Sequence, residues 1–273
     1  MWGRLVRDRL ALLGLLVLGA IGAGALFAPW ITDRDPLDTN FLRRFEPPSR
    51  EHPLGTDQLG RDLLARLLYG ARYTLGTGLG AMGLILLVGT AVGLVSGLLG
   101  GRLDALLMRM VDVLLAFPSL ILALAIVGML GPSLTNVLIG IAAVGWASYA
   151  RVVRGLVLSL REREFVEAAL ALGAGRLWVA RRHVLPHVLP TVAVLASLDM
   201  GNLLLAISAL SFLGVGAQAP TPEWGRMLND ARPFLWQAPH LMLFPGLAIF
   251  LVVLAFNFLG DGLRDLLDPR LRR

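Results

Sequence analysis

Six apolar blocks run along the chain, at residues 10–30, 75–99, 111–130, 134–150, 190–213 and 241–259. Roughly 20 apolar residues in a helix cross a hydrocarbon core, so each block is read as a spanning helix. The predicted fold is all-α: a polytopic bundle of six transmembrane helices in membrane lipid, with a polar loop between the fourth and fifth. The second block carries Gly76, Gly78, Gly80, Gly83, Gly89, Gly93 and Gly97, too many for a stable isolated helix. Small residues every few positions let membrane helices approach closely, so a packed bundle is expected.

Arginines at the block ends set the orientation. Arg4, Arg7 and Arg9 place the N-terminus in the cytoplasm, and six spans bring Arg264, Arg270, Arg272 and Arg273 to the same side. Residues 151–183 also fall inside, with seven arginines against three acidic residues. The segment 31–73 falls outside although it too carries seven arginines, here balanced by seven acidic residues. Long loops constrain topology weakly. Arg4, Arg7 and Arg9, the first apolar run and Ala23-Gly24-Ala25 also resemble a cleaved signal peptide, but the run is long for one. Segment 31–73 ends in a predicted amphipathic helix at 61–72. Segment 214–240 contains Pro220, Pro222, Pro233 and Pro239, with Trp224 and Trp236 suited to an interfacial belt. Both are either connectors or a docking surface for an external partner. The expected divisions are 1–73 (first helix and external segment), 74–260 (transmembrane domain) and 261–273 (cytoplasmic tail).

Composition agrees with a membrane protein. Hydrophobic residues make up 56% and charged ones 16%, with a mean hydropathy of +0.71, too little charge to solvate a soluble surface. The net charge of +6 sits at block ends, which fits an anionic inner membrane surface and not nucleic acid. All 25 Lys-plus-Arg positions are arginine. A Walker loop needs a lysine to reach the terminal phosphates, so an ATP-driven process would require a partner that binds the ATP. Cysteine is absent, which excludes disulfides and thiol chemistry.

The loop over 161–186 reads R-E-R-E-F-V-E-A-A-L-A-L-G-A-G-R-L-W-V-A-R-R-H-V-L-P. Phe165, Ala168, Ala169 and Leu172 recur at i, i+3, i+4 and i+7, one apolar helix face. Glu162, Glu164 and Glu167 suit the positive end of the helix dipole. Gly173 stands where a C-terminal cap would, followed by Gly175 and a second turn over 176–183. The apolar face either lies on the membrane surface or fills a groove in a cytoplasmic partner.

Glu167-Ala168-Ala169, Gly173, Leu185 and Pro186 follow the spacing E-A-A, three residues, Gly, nine residues, x-x-Leu-Pro. This resembles the loop signature of membrane subunits of binding-protein-dependent ATP-binding-cassette importers; His183 departs from the family's usual aliphatic residue. His52-Pro53-Leu54-Gly55-Thr56-Asp57, Gly60-Arg61-Asp62, Gly70-Ala71-Arg72, Ser211-Phe212-Leu213-Gly214 and Pro220-Thr221-Pro222-Glu223-Trp224-Gly225 continue the likeness. So do Phe256-Asn257-Phe258-Leu259-Gly260-Asp261, Leu263-Arg264-Asp265 and Leu267-Asp268-Pro269. Together they resemble the second permease subunit of the dipeptide, oligopeptide and nickel branch. The resemblance implies that the loop is a coupling helix, with Phe165, Glu167, Ala168, Ala169, Leu172 and Gly173 docking on an ATP-binding subunit. It further implies a homologous second permease, two ATP-binding subunits that hold the ATP and Mg, and an external solute-binding protein. No cofactor is expected in this chain, and the setting is a bacterial or archaeal cytoplasmic membrane. Leu134-Thr135-Asn136-Val137, Tyr149-Ala150-Arg151, Arg163-Glu164-Phe165-Val166 and Asn229-Asp230-Ala231-Arg232 look closer to nickel than to dipeptide subunits. Yet His52, His183, His187 and His240 form no evident metal cluster. Pro186 is expected to interrupt the helix that would pair His183 with His187.

An ionisable residue within a span usually faces the bundle interior or an aqueous path. Asp199, with Asn202 one turn on, either lines the translocation path or makes a structural hydrogen bond to a neighbouring helix. Asn257 is a weaker candidate, and Asn136 is expected at a helix end. The glutamates of the loop lack a nucleophile or metal, so no enzyme site is read. The alternative of a carrier driven by an ion gradient would call for inverted repeats and several intramembrane carboxylates; Asp199 is the clear one, and no repeat is evident.

Overall fold

The computed structural model describes residues 8–267. Expectations resting on Arg4, Arg7, Asp268, Pro269, Arg270, Arg272 and Arg273 concern residues outside that range. Among the described residues no β-strand forms; Thr56 and Asp62 make one isolated bridge. Within these residues eleven α-helical segments follow in order: α1 (Arg9–Leu26), α2 (Ala28–Ile31), α3 (Leu63–Leu99), α4 (Gly101–Leu115), α5 (Ser119–Leu130) and α6 (Leu134–Arg161). Then come α7 (Glu164–Ala171), α8 (Arg176–Val179), α9 (Leu185–Phe212), α10 (Trp224–Ala231) and α11 (His240–Leu267).

Among the described residues five helices are long and apolar enough to cross a membrane, and a bent pair makes up to six. The bent pair corrects the third predicted span. Instead of one helix over 111–130, α4 and α5 meet at 90°. Pro118 is the cause: it lacks an N–H and disfavours helical geometry at Phe117 before it. The α5 piece has 12 residues, and at 1.5 Å per residue its length of about 18 Å is too short to span alone.

The second span begins earlier than expected. The predicted amphipathic helix at 61–72 and the apolar block at 75–99 are one 37-residue helix, so the division at 73/74 falls inside α3. Asp62 starts it by accepting from the Ala65 N–H at 2.8 Å. The side chain of Arg72 turns back to α1, its Nε donating to Ala25 O at 2.5 Å and Nη2 to Leu26 O at 3.1 Å. Those carbonyls end a helix and have no intrahelical donor, which is why an arginine there is effective.

Along its inner half α3 packs against α6, while α9 packs along α11 and α1 lies on α11. The predicted small-residue packing appears on one side of α3. A Cβ at Gly89, Gly93 or Gly97 would come within 2.6–2.8 Å of α6 atoms, whereas one at Gly76 or Gly83 would meet nothing.

Segments 31–73 and 214–240 meet at one end of the bundle and form a packed cap. Phe45 contacts Phe234 with ring centroids 4.9 Å apart. Thr74 Oγ1 donates to Glu223 Oε1 at 3.1 Å. Glu223 is wholly buried and caps α10, its carboxylate accepting from the Gly225 and Arg226 N–H groups at 3.0 and 2.8 Å. Burial pushes this carboxyl above the ordinary carboxylate range, and those hydrogen bonds oppose the shift. Trp224 corrects the interfacial-belt expectation: it is buried, and its Nε1 donates to Leu67 O at 2.9 Å. Trp236 is 96% exposed.

Candidate functional site

At the opposite end, the α6–α9 connection folds as a short helix held by two turns. Glu164 and Glu167 lie in the first turn of α7, where negative charge is favourable. Gly173 has φ +87°, a conformation that costs an L-residue roughly 1–2 kcal/mol. It allows the Gly173 N–H to bond Leu170 O and the Ala174 N–H to bond Ala169 O, both at 3.0 Å. These two bonds are the Schellman arrangement that closes a helix C-terminus. Space is no obstacle there, since a Cβ would meet nothing within 4 Å. Gly173→Ala is therefore expected to strain the turn by about 1–2 kcal/mol through φ alone. Faster tryptic cleavage at the exposed Arg176, with the rest of the chain equally resistant, is the measurement.

Val166 anchors α7 to the body of the chain and is buried. Phe165, Glu167, Ala168 and Leu172 are exposed, Leu172 at 90%. The observed face differs from the predicted one at Ala169, which is half-buried and packs towards the core one turn on from Val166. An eight-residue helix must hold its own chain with one stripe, and Ala169 belongs to that stripe. Leu177 and Trp178, which the i, i+3, i+4 spacing left out, extend the exposed apolar surface.

Pro186 does not interrupt the following helix. Residues Ala180–Val184 form a π turn, and the helix runs on from Arg176 to Phe212. Proline has no N–H and its ring crowds the carbonyl four residues back; a wider turn removes the conflict. His183 and His187 consequently share a face and pack on Phe165, with ring centroids 5.8 and 5.5 Å away. His183 also meets Trp178 edge-on at 5.1 Å, and His187 Nδ1 donates to His183 O at 2.6 Å. Both imidazoles thus support the aromatic side of the loop. Among the described residues no three His, Asp or Glu side chains gather in a metal-binding group.

A groove opens between α3, α5, α6 and α9, with a cavity of about 200 Å³. Asp199, Asn202, Tyr149, Ser148 and Ser119 supply its polar groups, with Met82 and Ile85 among its apolar ones. Tyr149 Oη donates to Asp199 Oδ2 at 2.8 Å. The expected hydrogen bond to a neighbouring helix is therefore present, and Asp199 also faces this groove. Tyr149, 50 residues away in the chain, was not singled out as its partner, because no local pattern links them. Asn136 stands at a helix end as expected, donating to Leu130 O and Gly131 O at 3.0 and 2.8 Å.

Residues 89–273 match the family model of the binding-protein-dependent transport system inner membrane component. The chain belongs to this family. Residues 1–48 also match the N-terminal transmembrane domain of oligopeptide transport permease C. Among curated relatives of this transport family, the dipeptide transport system permease protein DppC of Alkalihalophilus pseudofirmus is 47% identical over 98% of the chain and 88% of its own length. The nickel transport system permease protein NikC of Escherichia coli is 46% identical over 95% and 94%. The glutathione transport system permease protein GsiD of Pectobacterium atrosepticum is 42% identical over 99% and 90%. A solved inward-facing MetNI methionine ABC transporter shares the fold, with a TM-score of 0.59 and 19% identity over 74% of this chain and 97% of that one. The family places the chain as a multi-pass membrane component of a transport system.

Proposed function

We propose that the chain is one of two homologous permease subunits of an ATP-driven importer, lining half of the path for di- or oligopeptides or nickel. The relatives named for dipeptide and nickel transport support the cargo class, and the loop geometry supports the coupling role. Its single strongest support is Leu172, 90% exposed at the tip of a helix whose end is fixed by Gly173. An apolar side chain held outward on a rigid turn is suited to a partner's groove. Phe165, Glu167 and Ala168 extend this docking edge, with Ala169 behind it. Two ATP-binding subunits hold the ATP and Mg, and their closure draws the paired loops together, switching the groove from outward- to inward-facing. An external binding protein delivers cargo at the capped end. Both termini are cytoplasmic, in a bacterial or archaeal cytoplasmic membrane.

Leu172→Asp tests this reading. Losing a central apolar anchor and burying a carboxylate costs a protein interface roughly 2–4 kcal/mol. Co-purification of an ATP-binding subunit with the chain is expected to fall sharply, while Trp236→Ala at the opposite end leaves it unchanged. Uptake by the purified chain alone in liposomes without ATP would overturn the importer reading in favour of a gradient-driven carrier.

A further inference from the structure

Asp199 lies midway along α9, about 20 Å from either end at 1.5 Å per residue. A carboxylate at such depth is costly and calls for a compensating role. Both acidic side chains of α4 have arginine partners. Asp104 takes both Nε and Nη2 of Arg154, at 2.5 and 2.6 Å, and Asp112 pairs with Arg151. Asp199 has no such partner: among the described residues no arginine or histidine forms an ion pair with it. Its only hydrogen bond there is from Tyr149, which engages Oδ2 and leaves Oδ1 without a protein donor. Tyr149 is itself buried and pressed against α3, since a Cβ on Gly89 would lie 2.7 Å from its Cβ. The donor is therefore fixed, and it holds an acidic, unpaired side chain towards the groove. Asn202, Ser148 and Ser119 add only neutral polar groups, and no arginine or histidine lines the cavity.

We propose that Asp199 is the charge-selecting contact of the translocation path, with Tyr149 as its positioning residue, and that it takes a cationic group of the cargo. An ammonium group and a divalent metal cation share this chemistry. The inference rests on the importer reading above and deepens it from a conduit to a charge filter. A cation passing the groove meets one carboxylate oxygen free to accept, whereas an anion meets no counter-charge.

The test uses the complete complex in proteoliposomes: this chain, its partner permease, the ATP-binding subunits and the external binding protein. Uptake of radiolabelled dialanine and of radioactive nickel(II) is measured separately for wild type, Asp199→Asn, Asp199→Glu and Tyr149→Phe. Loss of a charge-assisted contact is expected to lower uptake of the cationic cargo at least about tenfold in Asp199→Asn. Asp199→Glu keeps the charge and should stay within about threefold of wild type, with Tyr149→Phe between the two. In all three, stimulation of ATP hydrolysis by the loaded binding protein should persist. A loss confined to dialanine assigns the ammonium group, and one confined to nickel assigns the metal. Unchanged uptake in Asp199→Asn overturns the proposal, as does a correctly assembled Asp199→Glu complex that fails as badly as Asp199→Asn. Import of neither dialanine nor nickel(II) by wild type, with ATP-dependent import of a solute that lacks any cationic group, overturns it and leaves the importer reading standing. Transport without ATP removes the importer reading, and this inference with it.

Discussion

Asp57→Ala is expected to loosen the whole cap and to lower stability by about 3–5 kcal/mol, the usual cost of stranding a buried charge. Asp57 is 4% exposed, between Arg61 at 2.6 Å and Arg66 at 3.4 Å, which are 3% and 2% exposed. Its other oxygen accepts from the Leu59 and Arg61 N–H groups at 2.8 and 3.0 Å, shaping the turn that leads into α3. Alanine removes both functions and leaves two guanidinium groups without their nearest counter-charge. Asp57→Asn keeps an oxygen for the turn but not the charge, so it should fall between. The exposed pair of Arg43 and Glu51 provides the contrast. Its hydrogen bond to Arg43 holds the Glu51 carboxyl below the usual carboxylate range, but solvent screens the pair, and Glu51→Ala should change stability little. Thermal unfolding of the three variants in detergent reads the order directly. Equal midpoints for Asp57→Ala and Glu51→Ala would show that the buried cluster does not hold the cap together.

That cluster was only half legible in the sequence. The string from His52 to Asp62 stands out as a motif, yet its segment reads equally as a connector or a docking surface. What composition cannot convey is that Asp62 serves two structures at once, starting α3 through Ala65 and meeting His52 Nδ1 at 2.9 Å. Trp224 was misplaced for a similar reason. Its amphipathic ring suits a membrane interface, but a hydrogen bond to Leu67 O, 157 residues away, secures it inside the cap. The spans themselves were readable because hydrophobicity in a bilayer is nearly a one-dimensional property. The exception, α4 with α5, has its signal in the sequence too: Pro118 lies within the third apolar block.

The loop between α6 and α9 was legible to the extent that it is local. The end of α7 follows from Gly173, since a glycine after an apolar helical stripe marks a left-handed cap. Which of two adjacent alanines faces outward does not, because only the anchoring of Val166 on the chain's body turns Ala169 inward. Asp199 was visible as a charge in an apolar run. Its environment was not, because the groove is assembled from helices whose residues lie far apart in the chain.

Gly93→Ala and Gly83→Ala, ten positions apart on the same helix, should move stability in opposite directions. A Cβ at Gly93 would lie 2.6 Å from Val153 Cβ and 2.7 Å from Ala150 O. Backbone oxygen cannot rotate away, so α3 and α6 must part; overpacking of this kind costs about 1–3 kcal/mol. At Gly83 a Cβ meets nothing within 4 Å, and alanine there removes only the entropy of a helical glycine, a gain of roughly 0.5–1 kcal/mol. The two substitutions are chemically identical, so helix propensity alone would shift both upward. A lower thermal midpoint for Gly93→Ala beside an unchanged or higher one for Gly83→Ala is the expected signature of a close-packed seam. The consequence reaches beyond stability. α3 begins at the charged cap and α6 ends three residues before α7, so the Gly89, Gly93 and Gly97 seam joins the end that would receive cargo to the end that would receive ATP-driven motion. If the pair moves as a unit, Gly93→Ala should also reduce uptake per ATP hydrolysed at temperatures where the complex is still assembled. An uptake ratio equal to wild type under those conditions would confine the seam to a packing role.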